Sequence, residues 1–193
     1  MKQYALSIDH ELCWGCRTCE VACKQEMNSS DGVPLISVQE DGPKEEEDKL
    51  RFVFHVRVCR HCEAPPCAEA CPEEAIYKRE DGIVVMDYDR CTGCRACVDE
   101  CPYEAIAFDM SRGIAQKCNL CHHRLDQGLL PACADNVCLA HCIHLLQEER
   151  GSSWQPAPES LVFPDNTSPL PGCPSFVAGY CGGWRRGRRG AGF

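Results

Sequence analysis

The sequence predicts a small α+β protein assembled from short βαβ units. Three observations predict this class. Cysteines recur in four groups of four, a strand-sized apolar stretch adjoins each of the first three groups, and a helix-like segment joins the last two cysteines of a group. At 193 residues the chain suits one compact domain or two small ones.

Sixteen of the nineteen cysteines fall into these groups. Two groups have the spacing C-x2-C-x2-C-x3-C, another has two more residues in its middle gap, and the last has a long middle gap. In chain order, groups one to four are Cys13, Cys16, Cys19 and Cys23; Cys59, Cys62, Cys67 and Cys71; Cys91, Cys94, Cys97 and Cys101; and Cys118, Cys121, Cys133 and Cys138.

The predicted elements follow from apolar stretches beside the groups. Strands are expected before groups one, two and three and after groups two and three, because these stretches are short, apolar and rich in β-branched or aromatic residues. Together with the helix starts they give the strand–loop–helix–strand unit of a ferredoxin-like half. The predicted strands are 4–9, 50–58, 75–77, 83–87 and 105–108, and the predicted helix starts are 19–24 and 97–100.

Two stretches depart from this repeat. The acidic run 40–48 predicts a solvated loop, with a docking surface for a basic partner as the alternative. After group four the return strand is expected to break off in 145–150. The domain prediction is therefore a cysteine-rich domain over residues 1–146 and a Pro/Gly-rich tail, extended or mobile, over 147–193.

The spacing of the groups indicates iron–sulfur clusters. Short C-x2-C steps let successive thiolates bind the corners of one cube, while the last cysteine of a run binds the other cluster of a pair. Structural zinc uses paired C-x2-C knuckles instead, and a disulfide scaffold is expected in small secreted chains with an even cysteine count. We therefore predict four [4Fe–4S] clusters, which also supply cohesion that so small a core lacks.

Composition excludes several classes of function. The net charge of −9 disfavours a nucleic-acid partner, and no apolar stretch reaches the length that a membrane span needs, so no membrane insertion is predicted. The sequence has no glycine-rich dinucleotide loop, nucleophile elbow or paired-carboxylate motif, which predicts a non-catalytic chain. Free thiolates and oxygen-sensitive clusters need a reducing compartment, which predicts a cytoplasmic location.

Group four leaves its last ligand open. In groups two and three the last cysteine begins a common phrase, at 71–76 and 101–106. With Cys138 placed on this frame, Cys142 falls in the alanine position, which favours Cys138 as the ligand. The gap before Cys138 is one residue longer than usual, however, and the step from Cys138 to Cys142 has the usual length. Cys142 therefore remains the alternative ligand.

The four groups, their order and the phrases at 60–67 and 116–121 resemble the four-cluster ferredoxin subunits of molybdopterin and tungstopterin oxidoreductases. This family includes the electron-transfer subunits of dimethyl sulfoxide reductase, formate dehydrogenase and pyrogallol–phloroglucinol transhydroxylase. Similar small polyferredoxins accompany tungsten aldehyde oxidoreductases and the tungsten-dependent benzoyl-CoA reductase. The resemblance covers about residues 4–146, and group four departs from the family pattern.

The resemblance implies that the groups pair in a nested order, one with four and two with three, as two pseudo-symmetric bacterial ferredoxin-like modules. Each cluster then takes three cysteines from one group and one from its partner group. The implied sets, called sites 1 to 4, are Cys13, Cys16, Cys19 and Cys138; Cys23, Cys118, Cys121 and Cys133; Cys59, Cys62, Cys67 and Cys101; and Cys91, Cys94, Cys97 and Cys71.

The function that the resemblance implies is single-electron relay through the four clusters. The electrons would pass between a large tungsten- or molybdenum-pterin catalytic subunit and a further redox partner, such as a flavin subunit. The aldehyde oxidoreductase and benzoyl-CoA reductase types of partner are favoured. A free-standing soluble polyferredoxin is the alternative.

Overall fold

The structure is a computed structural model that describes residues 2–46, 48–134 and 137–149. None of the helices in these ranges is long and apolar enough to cross a bilayer. The helices are α1 (Thr18–Met27), α2 (Pro66–Glu69), α3 (Ala96–Asp99) and α4 (His122–Leu125). The strands are β1 (Lys2–Ile8), β2 (Ile36–Glu46), β3 (Lys49–Val58), β4 (Ile76–Lys78), β5 (Val84–Met86), β6 (Ile106–Asp109), β7 (Ile114–Lys117) and β8 (Ile143–Glu149).

The eight described strands pair as four two-stranded antiparallel ribbons, β1 with β8, β2 with β3, β4 with β5 and β6 with β7. Short strands and few helices agree with the predicted α+β class and with a small ferredoxin-like domain. The predicted order of strand, cysteine loop, helix and strand is present in β5, α3 and β6. The two strands of that unit lie in different ribbons, because each pairs across a short turn with its neighbour in sequence.

All five predicted strands have counterparts, namely β1, β3, β4, β5 and β6, and the two predicted helix starts lie in α1 and α3. Strands β2 and β7 and helices α2 and α4 have no counterpart among the predictions. Helices α2, α3 and α4 are only four residues long, too short for a periodic pattern to reveal them.

Strand β8 shows that the expected break in the return strand after group four is wrong. It pairs with β1 over all seven of its residues. Ile143 and Leu145 face inward while His144 and Leu146 are exposed, so a one-sided strand forms in spite of the polar residues that follow. The remainder of the predicted tail, residues 150–193, lies outside the described residues, and so do Cys173 and Cys181.

The acidic run is part of a hairpin rather than the loop that was predicted. Strand β2 continues through Glu46, and Glu40 lies opposite Phe54 of β3. Backbone pairing keeps this segment extended, while side chains such as Glu40 and Glu45 remain exposed to water. The prediction of a solvated segment is therefore confirmed, although its secondary structure is different.

Cysteines make up a large part of two of the core clusters. One cluster brings together most cysteines of groups one and four, packed with aliphatic residues of β2 and β3. Another contains cysteines of groups two and three. A smaller third cluster consists of Ile83, Val85 and Leu120. The fold thus places group one beside group four and group two beside group three.

Candidate iron–sulfur centres

The first C-x2-C step of each group bends at a residue with left-handed backbone just before its second cysteine. These residues are Gly15, His61, Gly93 and Leu120, with φ of 68°, 48°, 73° and 54°. Glycine is the expected residue in this conformation because it lacks a Cβ. At Gly93 a side chain is also excluded by contact, since a Cβ there would lie 2.1 Å from the carbonyl oxygen of Gly113.

The last cysteines of groups two, three and four share one turn. The third residue after each has left-handed backbone, with φ of 47°, 47° and 49°, and its N–H donates to the carbonyl of the cysteine. The next N–H along the chain donates to the sulfur of the same cysteine. These sulfur contacts are Ala75 to Cys71 at 3.3 Å, Ala105 to Cys101 at 3.4 Å and Cys142 to Cys138 at 3.4 Å. Such donors stabilise a thiolate and tune a bound cluster.

Two cavities are lined by cysteines of groups two and three. One, of about 310 Å³ including its open mouth, contains all four cysteines of site 4. The other, of about 340 Å³, contains all four cysteines of site 3. In each cavity three thiols come from one group and the fourth is the last cysteine of the other group.

Groups one and four meet through helix α1. Burial raises the pKa of Cys19 to about 12, with Glu20 and then Cys138 adding to the shift. Burial raises the pKa of Cys23 to about 12 as well, with Cys121 as the first contributing thiol. The two cysteines lie one turn apart on α1, so this helix places Cys19 near Cys138 and Cys23 near Cys121.

The loop of group one is also tied to group four by polar contacts. Thr18 Oγ1 lies 3.3 Å from the sulfur of Cys16 and donates to the carbonyl of Val137 over 2.8 Å. Contacts with the hydroxyl and the backbone of Thr18, and a further hydrogen bond from the backbone of Leu139, lower the pKa of Cys16. Cys16 is exposed, as is Cys94 of group three. The cysteine sets of sites 1 and 4 therefore each have one thiol at the surface.

The chemistry of the thiols fits iron–sulfur clusters. Burial raises the pKa of Cys67 and of Cys97 to about 11 and that of Cys118 well above its ordinary value. These thiols hold their protons at neutral pH. The positive charge of bound iron would therefore be needed to displace the protons. Across the described ranges no three His, Cys, Asp or Glu side chains lie close enough to hold one metal ion. In site 3 and in site 4 the four thiols instead surround a cavity, as a cube of iron and sulfide requires.

Two further groups lie beside these centres. The sulfur of Cys142 is 3.5 Å from that of Cys138 and is buried. Lys117 is 1% exposed, directly before Cys118. Lys117 is a residue that sequence reasoning missed, because lysine normally lies at the surface and nothing in the local pattern marks this one as buried.

Two family models match the chain. A 4Fe–4S dicluster domain matches residues 50–148, and a 4Fe–4S binding domain matches residues 10–27. Together they include every cysteine of the four groups.

Similar proteins are subunits of reductases. A subunit of the tetrathionate reductase of Salmonella typhimurium is 42% identical over 139 residues, which cover 69% of this chain and 54% of that protein. A putative iron–sulfur subunit of the dimethyl sulfoxide reductase of Halobacterium salinarum is 36% identical, with 70% and 63% covered. One of the chains of the polysulfide reductase of Wolinella succinogenes is 41% identical, with 71% and 72% covered.

The chain spans about half the length of the tetrathionate reductase subunit and less than two thirds of the dimethyl sulfoxide reductase subunit. The matched part contains the cysteine groups whose loops, turns and cavities are described above. The chain therefore belongs to the 4Fe–4S dicluster proteins and is a homologue of these reductase subunits, within the family of iron–sulfur subunits of molybdopterin oxidoreductases.

Proposed function

We propose that this chain is a non-catalytic subunit that relays single electrons through four [4Fe–4S] clusters to or from a large molybdenum- or tungsten-pterin catalytic subunit. The observation that carries the proposal is the composition of the two cavities. Each holds four thiols in the combination that a two-cluster ferredoxin uses, three from one run and one from its partner. When bound, the clusters supply one-electron redox chemistry.

The sixteen cysteines of sites 1 to 4 are the proposed ligands, in the nested order. The cavities support sites 3 and 4, and the thiol neighbours of α1 support sites 1 and 2. Cys138 is preferred to Cys142 as the last ligand of site 1, because Cys138 makes the same turn and sulfur contact as Cys71 and Cys101. Two pseudo-symmetric ferredoxin-like modules follow, one with sites 1 and 2 and one with sites 3 and 4.

The thiols also support an order for the sites. Site 1 adjoins site 2 along α1, where Cys19 and Cys23 are one turn apart. Site 2 adjoins site 3, because Cys59 is the first thiol, after burial, that raises the pKa of Cys118. Site 3 adjoins site 4, since the Cys67 thiol contributes to the raised pKa of Cys97. The sites form a line whose two ends each have an exposed ligand, whereas the ligands of the two middle sites are buried or half-buried.

The catalytic partner is proposed from the relatives. Those named above are subunits of reductases for tetrathionate, dimethyl sulfoxide and polysulfide, all of them sulfur compounds. These names favour a partner that reduces a small sulfur compound. A tungsten aldehyde oxidoreductase or benzoyl-CoA reductase type, and a flavin-containing second partner, rest on the resemblance of the cysteine groups alone. A cytoplasmic location rests on the need of thiolates and clusters for a reducing compartment.

Metal analysis tests the cluster part of the proposal. The anaerobically purified chain should hold about sixteen irons and about sixteen sulfides, four cubes of four. Stoichiometric zinc, or fewer than about ten irons after full reconstitution, would contradict it.

Purification of the native complex tests the partner. Co-purification with a large pterin-containing chain supports the subunit, and its metal distinguishes molybdenum from tungsten. A chain that purifies without a partner at its native expression level, and still accepts electrons from several enzymes, would favour the free-standing polyferredoxin instead.

A further inference from the structure

Lys117 is a buried lysine at the end of β7. Its ammonium group donates hydrogen bonds to the carbonyl oxygens of Val84 and, over 3.0 Å, Cys118, and it reaches the sulfur of Cys59 at 3.9 Å. An ammonium group has three donors, so these contacts account for all of them. The side chain is held in one place by groups from β5, group two and group four.

This position is the junction between sites 2 and 3. Cys59 is a proposed ligand of site 3, and Cys118, next to Lys117 in sequence, is a proposed ligand of site 2. The two thiols are near enough that Cys59, after burial itself, is the main cause of the raised pKa of Cys118. Lys117 therefore lies where the two proposed modules come together.

The positive charge of Lys117 has no carboxylate beside it in the described part of the chain. A buried charge without a counterion is costly, and two carbonyl dipoles compensate it only in part. A cube with four thiolate ligands is a net anion, and becomes more negative on reduction. The nearest groups that can balance the ammonium are therefore the clusters of sites 2 and 3.

We propose that Lys117 is the counterion shared by the clusters of sites 2 and 3 and raises the reduction potentials of both relative to those of sites 1 and 4. The inference rests on the proposed cluster ligands. A fixed cation stabilises the more negative, reduced state of a nearby cluster, and net charge and hydrogen bonds to sulfur are the protein's main means of setting a cluster's potential. Lys117 thus influences electron transfer between sites 2 and 3 through the reduction potentials of their clusters.

The test is an anaerobic redox titration of the clusters by electron paramagnetic resonance in the full chain. Lys117→Gln removes the charge and keeps N–H donors, while Lys117→Arg keeps the charge. Lys24→Gln is the matched control, because Lys24 also adjoins a cluster cysteine but is half exposed and pairs with Asp31. Iron is counted in every variant.

We expect Lys117→Gln to keep about sixteen irons, with two of the four reduction steps moved to lower potential and the other two unchanged. Lys117→Arg should restore most of that shift, and Lys24→Gln should match the wild type. Four unmoved steps in Lys117→Gln would overturn the inference, and so would a uniform shift of all four. A wild type that itself lacks the iron would overturn the proposed function, and this inference with it.

A second measurement applies if the Lys117 variants lose their clusters. The wild-type chain labelled with 15N-lysine is reduced, and pulsed electron paramagnetic resonance detects 15N nuclei close to the clusters. A lysine bonded to the sulfur of Cys59 gives a 15N coupling in the reduced spectrum. Its absence would overturn the proposal whatever the variants do.

Discussion

The sulfur of Cys142 lies 3.5 Å from the sulfur of Cys138, and the amide of Cys142 donates to that same sulfur. In groups two and three the corresponding amide belongs to alanine, Ala75 or Ala105. A fifth thiol, that of Cys142, therefore lies beside the proposed ligands of site 1. The backbone N–H of Cys142 makes the hydrogen bond that an alanine makes in groups two and three, so this hydrogen bond does not require a cysteine.

Replacement of each thiol by alanine distinguishes the ligand from its neighbour. Cys138→Ala should lose about four irons, one cube, because alanine offers no thiolate. Cys142→Ala should keep all the iron, because alanine occupies that position of the turn elsewhere and leaves the amide donor in place. Iron counting and the electron paramagnetic resonance spectrum provide the measurement. Iron loss confined to Cys142→Ala would reverse the assignment.

Alanine substitutions at Gly93 and Gly113 distinguish the effect of backbone strain from that of a steric clash. At Gly113, φ is 70° and no atom lies within 4 Å of an added Cβ, so the left-handed conformation is the only source of destabilisation in Gly113→Ala. This costs about 1 kcal/mol, or about 2–4 °C in Tm. Gly93→Ala has the same conformational penalty, at φ 73°, and its Cβ would also meet the carbonyl of Gly113. We expect Gly93→Ala to lose iron from site 4 and Gly113→Ala to keep it. Equal iron contents in the two variants would show that the loop of group three tolerates the shift.

Asp109 links the β6–β7 turn to the segment after α1, and its pH dependence has a definite sign. Hydrogen bonds from Ser111 and then from Ser30 lower its pKa to about 2. The side-chain amide of Gln116 also donates to the Asp109 carboxylate over 3.0 Å. Because the folded-state pKa lies below the ordinary value, this stabilisation is complete above about pH 4 and is lost as the pH falls toward 2.

Asp109→Asn should therefore lower Tm by a few degrees at neutral pH, and its difference from the wild type should shrink as the pH falls below about 4. The control is Asp31→Asn, which removes an exposed carboxylate paired with Lys24 and should change Tm little. Melting curves of the two variants under anaerobic conditions compare them directly. A pH-independent difference would assign the effect of Asp109→Asn to packing instead.

Cluster removal should unfold the domain. Thiols make up much of two of its core clusters, and aliphatic packing of this extent does not hold so small a domain together alone. Treatment with a chelator and an oxidant should abolish native circular dichroism and cooperative melting, while chelator without oxidant serves as the control. An iron-free chain that still melted cooperatively would show that the side chains suffice.

The cysteine spacing predicted much of the candidate site because each loop is local. A C-x2-C step and the turn after a last cysteine are fixed by neighbouring residues, so the frame that put Cys142 in the alanine position could be drawn without coordinates. The same locality explains why β3 and β6 were predicted well.

Contacts distant in sequence were beyond such reasoning. Strand β8 exists because β1 is there to pair with it, although residues 147–149 are polar. The burial of Lys117 depends on Val84 and Cys59, which lie far away in sequence. Helices α2 and α4 form only as parts of the cysteine loops.

The pairing of β1 with β8 also determines the order in which parts of the chain can assemble during translation. Group one leaves the ribosome before the other groups, and Cys138 follows 125 residues after Cys13, ahead of the strand that closes over it. At about 5–20 residues per second, Cys138 is synthesised roughly 6–25 s after Cys13. All proposed ligands of sites 3 and 4 have emerged once Cys101 has. Cluster delivery during translation is therefore expected to proceed from the middle of the sequence outwards, and an oxidant pulse should damage the unfinished thiols of group one most.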